Sequence, residues 1–181
     1  MKLSEAISLI KHDRISKRAR STWADLGCGS GLFTQALGNL LADGSKIYAI
    51  DKNAEALRSI PAAGNIALEK IQANFNRDDL NLYQLDGILM ANSLHFVKDK
   101  TSLLNKLKSY LKDEGSFLII EYDLETPNPW VPYPVSYHSL QPLFENSGRY
   151  SFSKINEVPS KYNRSSIYSV LIEPNFTSHK R

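Results

Sequence analysis

The sequence has a single cysteine, Cys28, among its 181 residues. One thiol cannot form a disulfide within the chain, and it excludes a metal site built from several cysteines. Long hydrophobic runs are also absent, because no stretch reaches the roughly 18 apolar residues that a transmembrane helix needs. Residues 1–10 hold too few consecutive apolar residues for a secretory signal. We therefore expect a cytoplasmic protein that needs neither a metal nor a membrane.

The length and composition predict one domain. Hydrophobic residues make up 42% of the chain, which suits a globular core, and 181 residues are enough for one well-packed domain but too few for two ordinary ones. Within the single domain over residues 1–181, we predict a basic helical segment over 1–21, a core over 22–172 and a loose polar tail over 173–181.

Positive charge is concentrated at the start of the chain. The net charge is +3, and six basic residues stand against two acidic ones before residue 22. The basic residues are Lys2, Lys11, Arg14, Lys17, Arg18 and Arg20. A basic arm suits the phosphates of RNA or an acidic substrate. Alternatively, the same charges would lie on a helix face that is exposed to solvent. The lack of interleaved aromatic residues favours this second interpretation.

A glycine-rich turn follows the first predicted strand. The apolar segment that begins at Trp23 runs through Asp25 into Gly27, Gly29 and Gly31, and a helical pattern then begins. Alternating glycines keep side chains out of a turn, so a ligand can lie against the backbone at the start of the helix. The spacing G-x-G-x-G differs from the dinucleotide fingerprint G-x-G-x-x-G, and Asp25 would repel a pyrophosphate. The turn favours a zwitterionic cofactor without phosphate.

These residues resemble a known family. The segment from Asp25 to Gly31 resembles motif I of the class I S-adenosylmethionine-dependent methyltransferases, and Asp51, which ends an apolar segment 20 residues after Gly31, resembles the acid that takes the ribose hydroxyls there. The resemblance implies that S-adenosylmethionine is the cofactor. It also implies a first set of binding residues: Asp25, Gly27, Cys28, Gly29, Ser30, Gly31, Asp51 and Lys52.

The remaining pattern predicts an α/β fold with a doubly wound sheet. After the first strand, predicted strands cover Lys46 to Ile50, Ile66 to Gln72, Leu85 to Ala91, Ser116 to Glu121, Tyr150 to Ile155 and Ser166 to Ile172. The resemblance implies that the seven strands are mostly parallel, with an antiparallel seventh strand.

Helices are predicted between these strands. Predicted helices follow the glycine turn, cover Ala54 to about Ile60 and cover about Tyr137 to Asn146. Leu103, Leu104, Leu107 and Leu111 fall at helical spacing, and Gly115 is expected to end their helix.

Further cofactor residues follow the third and fourth strands, because ligands of such sheets lie at the carboxyl ends of the strands. By the same resemblance, Asn74 accepts from the adenine amine and Phe75 packs on the ring, while Ala91 and Asn92 lie beside the methionine part of the cofactor. The Asp/Asn-Pro-Pro-aromatic tetrad of base N-methyltransferases does not follow Asn92. His95 is a weak candidate for a general base, and a structural role in the loop explains it equally well.

The acceptor is expected to contact the proline-rich connector after the fifth strand. Tyr122, Trp130, Tyr133 and Tyr137 supply broad apolar faces with polar tips, which suits a small molecule. The same aromatic residues also suit a surface loop that covers the edge of the sheet.

The sequence thus favours a methyltransferase that acts on oxygen, nitrogen or carbon of a small molecule by in-line displacement, as a monomer or homodimer. Two alternatives stay open: an RNA methyltransferase that uses the basic arm, and a non-catalytic S-adenosylmethionine-binding partner protein.

Overall fold

The computed structural model describes residues 1–16, 19–145, 150–160 and 165–175. Lys17, Arg18 and Asn146, and residues 176–181 of the predicted tail, lie outside the described residues. The strands are β1 (Thr22–Leu26), β2 (Lys46–Asp51), β3 (Ala67–Gln72), β4 (Leu85–Ala91), β5 (Leu111–Tyr122), β6 (Tyr150–Pro159) and β7 (Ser166–Pro174). The helices are α1 (Leu3–Ile10), α2 (Leu32–Leu40), α3 (Ala54–Ser59), α4 (Lys100–Lys108), α5 (Tyr137–Leu140) and α6 (Pro142–Glu145), and a single 3₁₀ turn covers Leu94–Phe96.

The strands form one sheet in the order β3-β2-β1-β4-β5-β7-β6. Strands β1 to β5 pair in parallel, whereas β7 pairs antiparallel with both β5 and β6. The predicted doubly wound, seven-stranded sheet with an antiparallel seventh strand is therefore confirmed. Strand order reverses between β1 and β4, and the carboxyl ends of these two strands border the crevice in which such sheets bind ligands.

Both faces of the sheet are covered. Alternate residues of each central strand belong to different core clusters: Ala24 and Ile88 pack with Leu104 of α4, whereas Trp23 and Leu89 pack with residues of α1 and α2. This alternation follows from the two-residue period of a strand. Because both faces are buried, the sequences of β4 and β5 are continuous apolar runs rather than alternating ones.

The prediction for the segment around Leu111 was wrong. Helix α4 ends at Lys108, and Leu111 pairs with Leu85 as the first residue of β5. Gly115 lies within β5 and does not end the helix. The register of β5 against β4 shifts between Leu85 and Gly87. Strand β5 therefore begins with an irregular stretch, which its sequence pattern does not predict.

The predicted helix from Tyr137 to about Asn146 is two short helices. Helix α5 ends at Leu140 and α6 begins at Pro142. Proline has no N–H for the helical ladder and its ring clashes with the preceding turn, so one continuous helix is disfavoured here. Among the described residues of the predicted helical segment over 1–21, a helix covers Leu3–Ile10.

Candidate functional site

The glycine turn is fixed to the neighbouring strand by backbone hydrogen bonds. The N–H groups of Gly27 and Cys28 donate to the carbonyl of Ile50 at the end of β2, over 2.8 and 3.1 Å. Asp51 continues this connection, because its Oδ2 accepts from the Gly29 N–H at 2.9 Å and its Oδ1 from the Asn53 N–H at 2.8 Å. The carboxylate predicted to face the ribose therefore also shapes the turn.

Gly27, Gly29 and Gly31 all have left-handed backbone, but the first two differ in their surroundings. Gly27 has φ 76° and Gly29 has φ 53°. A Cβ on Gly27 would lie 2.6 Å from the Cβ of Ser93 and 3.2 Å from Cε1 of Phe75, whereas a Cβ on Gly29 would meet nothing within 4 Å. Gly27 is thus required by both conformation and space, and Gly29 by conformation alone.

We expect Gly27→Ala to lower the free energy of unfolding more than Gly29→Ala. Both variants carry the strain of a positive φ, roughly 1–2 kcal/mol, but only the first must also displace Ser93 and Phe75. Urea unfolding of the two variants measures the difference directly, since each serves as the control for the other. Equal losses would mean that the turn relaxes around the added methyl group.

Asp25 lies beneath this turn and is almost completely buried, with 1% of its surface exposed. Its Oδ2 accepts from the Thr34 hydroxyl at 2.6 Å, while its buried Oδ1 has no hydrogen-bond partner within the structure. Burial raises the pKa of Asp25 to about 7, the Thr34 hydrogen bond opposes this rise, and the nearby Asp51 carboxylate adds to it. The site therefore contains an acidic oxygen that a hydrogen-bond donor would stabilise.

A cavity of about 360 Å³ opens beside the turn, and we call it the donor cavity after the methyl-donating cofactor that the sequence predicts there. It is lined by Gly27, Asp51, Lys52, Ala73, Asn74, Phe75, Asn76, Arg77, Asn92, Ser93, Phe96 and Val97. The structure thus brings six of the predicted cofactor residues together: Gly27, Asp51, Lys52, Asn74, Phe75 and Asn92. The other lining residues were missed by sequence reasoning, although those from Ser93 to Val97 directly follow the carboxyl end of β4, where a ligand was expected.

The remaining predicted cofactor residues lie around the cavity rather than in its lining. Ser30 is exposed in the turn, and Ala91 packs against the core beneath it. The Cys28 side chain packs against the small cluster of Ala49, Leu57 and Ile60. Burial raises the pKa of its thiol, so Cys28 stays protonated and fills space rather than acting as a nucleophile.

Asn74 already forms two hydrogen bonds within its own loop. Its Oδ1 accepts from the Asn76 N–H at 3.1 Å, and its own N–H donates to Asp78 at 2.7 Å. A carboxamide oxygen has two lone pairs, so one of them is still available to a ligand amine. The prediction that Asn74 accepts from adenine is compatible with this geometry.

A second cavity, of about 410 Å³, shares Asn92 with the first, and we call it the acceptor cavity after the methyl acceptor that the sequence predicts beside Tyr122. It is lined by Met1, Glu5, Leu32, Phe33, Asn92, Tyr122, Val158, Pro159 and Ile167. Asn92 belongs to the lining of both cavities. Its backbone has φ 52°, which asparagine tolerates better than most residues, and its N–H donates to the Ile120 carbonyl at 2.8 Å. Asn92 thus lines both cavities from a fixed backbone position.

His95 lies in neither lining. Its side chain is 3% exposed, and its Nδ1 is 2.7 Å from Oε2 of Glu121, which is itself buried. The other carboxylate oxygen of Glu121 accepts from the N–H groups of Leu94 and His95, at 2.9 and 3.2 Å. The His95–Glu121 pair therefore holds the 3₁₀ turn after β4 against β5.

The four aromatic residues predicted for the acceptor do not form one cluster. Tyr122 lines the acceptor cavity, but Trp130 is 79% exposed. The Tyr133 N–H donates to the His95 carbonyl, and its ring lies 5.6 Å from the ammonium of Lys100. Tyr137 packs edge-on against Tyr168. The fold distributes these rings over the connector instead of gathering them at Asn92.

The basic arm is partly neutralised where the structure describes it. The Arg14 Nε donates to Glu173 of β7 at 2.8 Å, and this pairing raises the pKa of Arg14. Lys17 and Arg18, which the RNA alternative also uses, lie outside the described residues. None of the described helices has the length and hydrophobicity needed to cross a membrane.

Comparison with known proteins points to one family. A family model described as a methyltransferase domain matches residues 24–117, which is just over half of the chain. No curated protein matches the chain. The matched segment contains the glycine turn, Asp51, Asn74 and Asn92, so it covers every wall of the donor cavity.

Solved structures share the fold at low sequence identity. The YcgJ protein from Bacillus subtilis superposes with a TM-score of 0.69 at 13% identity, over 96% of this chain and 97% of that one. A SAM dependent methyltransferase from Aquifex aeolicus gives 0.64 at 18% identity, over 95% and 98%. The plantazolicin methyltransferase BpumL, solved in complex with SAH, gives 0.64 at 15% identity, over 96% and 83%.

Proposed function

The chain belongs to the family of methyltransferase domains, and from that premise we propose that it transfers a methyl group from S-adenosylmethionine to a small molecule. The observation that carries the proposal is the pair of cavities whose linings share Asn92. A transfer between two molecules requires that both bind with their reacting atoms in contact. Two cavities that share a lining residue would bind their ligands side by side.

The residues of the donor cavity fit S-adenosylmethionine. Asp51 and Lys52 lie at the end of β2, where hydroxyl groups of a ribose would meet the carboxylate, and Phe75 offers an apolar face to an adenine ring. Phe96 supports the same interpretation, because its side chain is 59% exposed where it lines the cavity. The unpartnered Oδ1 of Asp25 suits the ammonium of the cofactor or a water held with it.

Bound S-adenosylmethionine supplies a methyl group that is already activated by a positively charged sulfur. The chain itself then needs to align the acceptor with the methyl group and to exclude water. In this proposal Asn92 aligns the acceptor, and the apolar walls formed by Leu32, Phe33 and Ile167 exclude water. The proposal gives His95 a positioning role, since its side chain lines neither cavity and Glu121 holds its Nδ1.

The cofactor part of the proposal is tested by Asp51→Ala. Calorimetric titration of the wild type should show binding of S-adenosylmethionine and S-adenosylhomocysteine but not of NAD. Removing a carboxylate that bonds a ligand loses about 1.5–3 kcal/mol, so we expect affinity to fall roughly 10- to 100-fold in the variant. Asp43→Ala is the matched control, because Asp43 is exposed and lies in neither cavity lining.

The acceptor part is tested with S-adenosylmethionine labelled in the methyl group. We expect label to enter small molecules of a cell extract and not bulk RNA. Label in RNA that disappears at high salt would support the RNA alternative instead. Cofactor binding without transfer to either fraction would favour the non-catalytic partner protein.

A further inference from the structure

We propose that the buried ring of His95 positions a residue of each cavity, Phe96 of the donor cavity and Tyr122 of the acceptor cavity, so that a ligand in the donor cavity changes the surroundings of Tyr122. This inference rests on the proposed function, because it treats the two cavities as the sites of the methyl donor and the methyl acceptor. It deepens that function by giving a residue outside both linings an effect on both sites.

The His95 ring contacts one aromatic ring from each lining. Its centroid lies 4.2 Å from that of Phe96, with the ring planes at 49°, and 6.1 Å from that of Tyr122, with the planes at 53°. Phe96 lines the donor cavity and Tyr122 lines the acceptor cavity. Tilted aromatic rings attract one another in addition to the effect of the area that they bury. His95 therefore joins the two linings through ring contacts, although its own side chain lines neither.

Hydrogen bonds to β5 and to the connector fix the position of His95. Its Nδ1 lies 2.7 Å from Oε2 of Glu121, and both side chains are almost completely buried. The His95 N–H donates to the other oxygen of the same carboxylate, and the His95 carbonyl accepts from the Tyr133 N–H. The ring cannot turn without breaking these bonds. Because close-packed interiors transmit strain, a displacement of one neighbouring ring should reach the other through His95.

Phe96 is the ring of this group that a ligand can reach most easily. It is 59% exposed where it lines the donor cavity, whereas the His95 side chain is 3% exposed. Exposed side chains change rotamer rapidly, so a ligand that packs against Phe96 selects one orientation of its ring. That orientation sets the contact with His95, and His95 in turn contacts Tyr122.

Fluorine NMR of Tyr122 tests this effect directly. The protein would be labelled with 3-fluorotyrosine and titrated with S-adenosylhomocysteine, and Tyr122→Phe would identify the Tyr122 signal. We expect saturating S-adenosylhomocysteine to shift this signal in the wild type and to shift it less than half as far in His95→Asn. Asparagine can keep a hydrogen bond to Glu121 through its amide nitrogen but has no ring. His138→Asn is the matched control and should keep the full shift, because His138 is exposed and lies in neither lining.

The affinity for S-adenosylhomocysteine separates an action through Phe96 from general support of the fold. We expect His95→Asn to weaken binding roughly 2- to 10-fold, which corresponds to the contribution of one pair of aromatic rings. In the Phe96→Ala background the same substitution should weaken binding less than twofold, because the ring on which His95 acts is gone. Calorimetric titration of the four proteins measures this cycle. An equal loss in both backgrounds would show a merely structural role for His95.

Phe96→Leu is a second variant for the NMR experiment, and it leaves the buried His95–Glu121 pair intact. At saturating S-adenosylhomocysteine it should also reduce the shift of the Tyr122 signal to less than half. No shift in the wild type, at least half of the wild-type shift in either variant, or equal losses of affinity in both backgrounds would each overturn the inference. No binding of S-adenosylhomocysteine by the wild type would overturn the proposed function as well, whereas normal binding without the expected shifts would overturn this inference alone.

Discussion

Asp25→Asn should raise the free energy of unfolding at pH 8 and leave it nearly unchanged at pH 4. The wild type carries a buried carboxylate whose pKa is raised to about 7, from 3.8 in the absence of burial. A raised pKa means that the folded state binds the proton more tightly, so the contribution of Asp25 to wild-type stability is largest below about pH 4 and falls as the pH rises to about 7. Asparagine keeps an oxygen for the Thr34 hydroxyl but cannot ionise, so it avoids this loss.

The expected gain at pH 8 is roughly 4 kcal/mol, since each pKa unit corresponds to about 1.4 kcal/mol. Urea unfolding of both proteins at pH 4, 6 and 8 measures it. Asp43→Asn is the control, because an exposed aspartate should change stability by no more than about 0.5 kcal/mol at any of these pH values. A gain that is the same at pH 4 and pH 8 would show that ionisation of Asp25 is not its cause.

The same variant should bind S-adenosylmethionine more weakly than the wild type. The unpartnered Oδ1 of Asp25 destabilises the protein without ligand, and we expect the bound cofactor to compensate for it. Stability and binding should therefore change in opposite directions in Asp25→Asn. This pattern distinguishes a residue kept for function from one kept for the fold.

Glu121→Ala should lower the free energy of unfolding by about 3–5 kcal/mol. Its carboxylate is completely buried and accepts from the Leu94 and His95 N–H groups as well as lying 2.7 Å from the His95 ring. Removing one partner of a buried pair leaves the other without its hydrogen bonds in an apolar surrounding. The affinity for S-adenosylmethionine should fall as well, because the 3₁₀ turn that Glu121 holds carries Phe96 of the donor cavity.

A double-mutant cycle separates the pair from the backbone bonds. His95→Ala removes the ring with its contacts to Glu121, Phe96 and Tyr122 but keeps the two backbone hydrogen bonds to Glu121. We therefore expect a smaller loss than for Glu121→Ala, and the double variant should be less destabilised than the sum of the two single ones. Urea midpoints at constant m-value provide the measurement. Additive losses would contradict a direct interaction between the two side chains.

Sequence patterns predicted the elements well where the signal was local. The glycine turn, the acid at the end of β2 and the order of strands and helices were readable because each depends on residues close in the chain. The prediction for the segment from Leu103 to Leu111 was wrong, because a leucine at helical spacing is equally suited to begin a buried strand. Only its pairing with Leu85 across the sheet places Leu111 in β5.

The sequence by itself determined the glycine turn and the acid at the end of β2, because a ligand that lies against backbone needs glycines at fixed spacing and a carboxylate at a strand end. Tertiary structure alone decided the cavity that we propose for the acceptor. The acceptor cavity joins Glu5 to Val158 and Ile167, and no local pattern marks residues that meet only when the chain folds. It also decided the position of His95, whose surroundings depend on a glutamate 26 residues away on the neighbouring strand. The physical reason is the same in both cases: burial and distance are properties of packing, whereas spacing is a property of the chain.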